Sequence, residues 1–134
     1  MDLTVDIKTD SRYPVDRNAV RLAVAKILNE KGVEGKVYVS VRVVGDRMMR
    51  NLNRSYRKLD KTTDVLSFPT IDPSQDLDMH GYADPEDAGL ILGDIVVSYP
   101  VARIEAAEKN MMLDEVIGGL VEHGMLHLLG YHHD

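Results

Sequence analysis

Hydrophobic and polar residues alternate from Leu3 to Ile7, which is the period of a half-buried β-strand. After Pro14, Asp16 is placed to cap a helix whose Val20, Val24, Ile27 and Leu28 share one face, and Gly32 is placed to stop it. Val37, Val39, Val41 and Val43 alternate with Tyr38, Ser40 and Arg42, the clearest strand in the chain. Asp46 then caps a second helix, with Met49, Leu52 and Tyr56 predicted to turn inward. Asp64 to Phe68 reads as a short strand. Residues 71–88 are rich in Pro, Asp and Gly and read as a long loop, and loops of that length in compact domains commonly carry function. Leu90 to Ser98 is a further strand, Val101 to Lys109 a helix, and Leu113 to Leu129 a last helix. The order βαβαββαα predicts an α+β fold, a small mixed β-sheet covered by helices. With no internal repeat or linker, residues 1–134 are expected to form one domain.

Composition narrows the function classes. At 134 residues and 44% hydrophobic content, the chain is long enough for one real core. No apolar run approaches a membrane span, and Asp2, Asp6 and Lys8 interrupt any signal-peptide core, so a soluble, cytoplasmic protein is expected. There is no cysteine, so any transition metal must rely on His or carboxylate ligands. The net charge of −6 is unevenly divided: residues 1–61 hold 14 Lys and Arg against 8 Asp and Glu, and residues 62–134 hold 2 against 14. The acidic total opposes indiscriminate nucleic-acid binding, but a local basic face still permits it. Arg47, Arg50, Arg54 and Arg57 recur every three or four residues on the second helix, and Lys58 and Lys61 extend the line. Such a stripe either follows a phosphate backbone or is simply the solvated face of a surface helix.

Candidate chemistry is concentrated at the end of the chain. His123 and His127 are four residues apart, so on a helix they project from one face with Cβ atoms about 6 Å apart and can reach one metal ion. Gly130 suits the left-handed residue that closes a helix, and a reversal there would bring His133 back as a third ligand. Three imidazoles around zinc leave a fourth position for water, the arrangement of a catalytic site. The same helix carries Gly118, Gly119 and Gly124, each costing about 1 kcal/mol relative to Ala, which a purely structural helix has little reason to tolerate. Asp64 and Asp94 sit in otherwise apolar strands, either as carboxylate partners for metal-bound histidines or as loop caps. His80 and the six carboxylates between Asp72 and Asp87 read as solvated loop, since their spacing matches no calcium loop.

The run from His123 through Gly130, Tyr131 and His132 to His133 resembles the signature of the YbeY family, bacterial rRNA maturation factors that are zinc-dependent single-strand endoribonucleases. Leu52 to Arg57 followed by Thr63 to Pro69 is similar to the family's second block, and Gly93, Asp94 and Ile95 to its third. The resemblance implies a zincin-like fold and one zinc ion on His123, His127 and His133. It further implies Arg57 as a basic residue facing the site, with His123 helping to hold the water that acts as nucleophile or base. Implied partners are single-stranded RNA and rRNA, small-subunit ribosomal proteins and an assembly GTPase, in a role in rRNA maturation and ribosome quality control. His132 stands where the family usually has Asp, so either adjacent imidazole is available to the metal, and the chain stops at Asp134 where relatives tend to continue. Two other readings remain: a zinc metallopeptidase, weakened because Gly124 stands where its helix motif has the general base Glu, and a non-catalytic assembly factor with a structural zinc.

Overall fold

The computed structural model describes residues 1–70 and 89–131. The elements run β1 (Asp2–Lys8), α1 (Arg17–Glu30), β2 (Lys36–Val44), α2 (Asp46–Arg57), β3 (Val65–Pro69), β4 (Leu90–Ser98), α3 (Tyr99–Lys109) and α4 (Leu113–Leu128), the predicted order. One sheet has the strand order β1-β2-β4-β3. β1, β2 and β4 are parallel, and β3 pairs antiparallel with β4 at the edge.

Period-2 alternation gives the sheet two unlike faces. Val5, Ile7, Val37, Val39, Val41, Val43, Ile95 and Val97 join a core with Val24 and Leu28 of α1, Ala102 of α3 and Val121 and Met125 of α4. The opposite face carries a smaller cluster in which Met49 of α2 meets Val44, Leu66 and Val96. α2 therefore lies across the sheet from α4.

Local chemistry explains the element ends. Asp16 accepts the backbone N–H groups of Asn18 and Ala19 and caps α1. Gly45, rather than Asp46, is the N-cap of α2, and Asp46 instead places a negative charge in its first turn. α3 begins at Tyr99, earlier than the periodicity predicted, because Ser98 Oγ accepts the Val101 N–H and Pro100 falls in the first turn. α4 ends in a Schellman turn: Gly130 has φ of 90°, its N–H donates to the His127 carbonyl at 3.0 Å, and Tyr131 N–H donates to Leu126 at 2.8 Å.

Tyr56 departs from its predicted place. It is 66% exposed, and its ring meets that of Phe68 at a tilt, with centroids 4.7 Å apart. The apolar patch under α2 is small and is filled by Met49 and Leu52, so the last turn passes beyond it. Asn53 takes the buried position one turn after Met49 and donates from Nδ2 to the Lys61 carbonyl at 2.8 Å, fastening the segment that follows α2.

Candidate metal centre on the last helix

His123 and His127 project from one side of α4 as their spacing predicts, with ring centroids 4.4 Å apart and planes at 51°. Both residues are half-buried, and His127 Nε2 is fully buried. Gly124 lies between them, where the helix packs close against the sheet. A Cβ there would stand 2.8 Å from Ile95 Cγ2 and 3.2 Å from Ser67 Oγ. Ser67 donates its hydroxyl to the Gly124 carbonyl at 3.0 Å, tying the histidine turn of α4 to β3. Gly124 thus has a packing reason, whereas Gly118 and Gly119 face open space.

Two neighbouring imidazoles are a donor set suited to zinc. No group of three or more metal-ligating side chains converges among the described residues. The third predicted ligand, His133, lies outside the described residues, as do His132, His80 and the carboxylates between Asp72 and Asp87. The described part of the predicted reversal, the left-handed Gly130, is present.

The two aspartates part company. Asp64 Oδ1 accepts the Val65 N–H at 2.8 Å and its carbonyl accepts the Ser98 N–H at 2.8 Å, so it fastens the start of β3 as a loop cap. It also borders a hollow of about 300 Å³ together with Glu105, Glu115 and His123. Burial, and then the charge and hydrogen bond of Asp64, push the Glu105 carboxyl above its ordinary value. Asp94 belongs to the other side. It lines a groove with Arg42 and Tyr56 on the α2 face, while its neighbour Ile95 is the residue that meets Gly124. A partnership of Asp94 with the α4 histidines is therefore excluded by strand alternation.

The arginine stripe of α2 is exposed, and part of it is tied to one acid: Arg50 Nε is 3.0 Å from Asp60 Oδ1, and Arg54 is 3.9 Å from the same oxygen. Exposed pairs of this kind contribute little to stability and leave the charges available. Arg57 is the last helical residue of α2, before Lys58 in left-handed conformation, and the segment it opens leads to Asp64 in the His123 hollow. Ser67, Asn53 and Glu105 were not singled out by the sequence. Only the resemblance block containing Ser67 and Asn53 carried a signal for them, and Glu105 reads in sequence as an ordinary helical acid.

The family model for Endoribonuclease YbeY matches residues 6–134. The chain belongs to the YbeY endoribonuclease family. An endoribonuclease YbeY of Roseiflexus castenholzii is 38% identical over 135 residues, covering 99% of this chain and 81% of the relative. That of Alkaliphilus oremlandii is 38% identical over 137 residues, covering 100% and 85%. A third, from Moorella thermoacetica, is 43% identical over 104 residues, covering 78% and 65%. A solution structure of a Thermotoga maritima protein superposes with a TM-score of 0.56 at 26% identity, over 98% of this chain and 75% of that one, in keeping with the mixed α+β fold.

Proposed function

We propose that this chain is a zinc-dependent endoribonuclease, one catalytic domain with a zincin-like site, that cleaves single-stranded RNA in rRNA maturation and ribosome quality control. The observation that carries the reading is the neighbouring pair His123 and His127 on α4, in a chain matched to the YbeY family over nearly its whole length. His123, His127 and His133 would hold one zinc ion. Zinc supplies Lewis-acid polarisation of a phosphoryl oxygen and a nucleophile at neutral pH. The residues of this chain do the rest. Ser67 and Gly124 hold the histidine turn against β3, and Asp64 and Glu105 border the His123 hollow, with the Glu105 carboxyl held above its ordinary value and so the better placed to hold a proton. Arg57 binds the substrate phosphate, a task suited to its planar fork of donors.

A peptidase needs a general-base Glu directly after the first helix histidine. Position 124 has no room for one, because even a Cβ would crowd Ile95. The reading further implies a cytoplasmic enzyme acting beside small-subunit ribosomal proteins and an assembly GTPase; no helix among the described residues is long and apolar enough to cross a membrane. The test is cleavage of matched single-stranded and duplex RNA with and without chelator. Loss of single-strand cleavage in chelator and its return with added zinc are expected. Cleavage unaffected by metal removal would refute the zinc assignment.

A further inference from the structure

The α2 face of the sheet holds a second feature that the metal centre does not use. α2 covers only one end of that face, and beside it runs an open trough. Its larger part, about 400 Å³, is bordered by Lys8, Arg42, Tyr56, Phe68 and Asp94. The trough continues past Ser40 and Asp94 into a smaller hollow bordered by Asp6 and Tyr38, the latter 37% exposed.

Three properties of this trough point to the same occupant. Tyr56 is a large, mostly exposed ring that meets the Phe68 ring at a tilt, with centroids 4.7 Å apart and planes at 56°. Phe68 is in turn packed on Leu66 and Val96. An exposed ring with one edge on a packed neighbour leaves a face open to a stacking partner. Next, Arg42 reaches the same space half-buried and, among the described residues, forms no ion pair or hydrogen bond. Lys8 pairs only with Asp6, at 3.7 Å and with both side chains about two-thirds exposed, a contact that contributes little. Finally, Asp6 lies against Lys8 and Asp94 shares the space with Arg42, so Arg42 is the trough cation that no carboxylate engages among the described residues. An exposed aromatic ring beside an unengaged arginine is what a single nucleic-acid strand uses: bases stack and phosphates meet the charge.

We infer that this trough is a binding subsite for single-stranded RNA on the sheet face opposite α4, in which a base stacks on Tyr56 and the adjoining phosphates meet Arg42 and Lys8. The inference rests on the endoribonuclease reading for its choice of RNA. It adds a physical source of strand selectivity, since bases in a duplex are already stacked and cannot be laid on a side chain. Because the trough lies on the sheet face opposite α4, its contribution falls on binding rather than on the chemical step.

The experiment uses the zinc-loaded full chain and an RNA oligonucleotide carrying 2-aminopurine, whose fluorescence is quenched by stacking, with cleavage followed in parallel. Tyr56→Leu should abolish the quench and weaken binding by about 5- to 150-fold, the range for loss of one base–aromatic stack. KM should rise accordingly and kcat move far less. Tyr56→Phe should restore quench and affinity to within about twofold, since it keeps the ring. Arg42→Gln should weaken binding and lower the slope of log affinity against log salt by about 0.7. A Tyr56→Leu variant with unchanged RNA affinity, or one whose only effect is a lower Tm, assigns the ring to packing and overturns the inference. A wild-type chain that quenches the probe without cleaving refutes the nuclease reading alone. Cleavage without quench refutes the subsite alone.

Discussion

Replacing Gly124 by alanine sets two effects of known sign against each other. A glycine within a helix costs about 1 kcal/mol relative to alanine, so Gly118→Ala, which meets nothing within 4 Å, should stabilise the protein by about that amount. At position 124 the same methyl would sit 2.8 Å from Cγ2 of Ile95, a fully buried member of the main core. Overpacking of this kind costs about 1–3 kcal/mol. Any retreat of α4 from β3 also strains the hydrogen bond from Ser67 to the Gly124 carbonyl, worth about 0.5–1.5 kcal/mol. The crowding term exceeds the propensity gain, and the two alanines should differ by about 2 kcal/mol or more. With a urea m-value of about 2 kcal/mol per molar, that separates their denaturation midpoints by about 1 M. His123 and His127 flank the site of retreat, so zinc affinity measured by competition with a chromophoric chelator should fall in Gly124→Ala and stay unchanged in Gly118→Ala. If Gly124→Ala is stabilised as much as Gly118→Ala, the close approach does not constrain the helix and the reasoning fails.

Further predictions concern the metal, the phosphate and pH. His133→Ala should abolish zinc binding while His132→Ala leaves most of it, because adjacent residues rarely reach one ion together; a titration with the reverse ranking moves the ligand by one position. Arg57→Ala should remove RNA cleavage with zinc content and Tm unchanged. Arg47→Ala should only weaken RNA binding and reduce its salt dependence, and an Arg57 variant with full activity would refute the role given to it. The Glu105 carboxyl is raised by burial and by Asp64, so its ionisation opposes folding. The stability it contributes is present below its unfolded value near 4.5 and is lost as pH rises through the raised value. Glu105→Gln should therefore gain on wild type above that window and lose the advantage in more acidic buffer; an advantage independent of pH between 4 and 8 in denaturation experiments would contradict the assignment.

Several features of this protein were determined by the sequence alone, because they depend on residues within a few positions of one another. Alternating valines made β2 legible, the Asp16 side chain capped α1, and Gly130 closed the histidine helix. The spacing of His123 and His127 was enough to bring their rings together, since a helix turn is the same whatever surrounds it. Other features depended on which surfaces meet, and these only the tertiary structure decided. Tyr56 follows the helical stripe of Met49 and Leu52, yet it points outward because the patch beneath α2 ends before it. Asp64 and Asp94 looked equivalent in sequence, but one lies beside His123 and the other on the opposite face, since α4 and α2 pack on different sides of one sheet. Gly124 reads like Gly118 until Ile95 and Ser67 are seen against it. A period along the chain states which residues share a face; which partner covers that face, how far it extends and how closely it approaches are settled by contacts between segments distant in sequence.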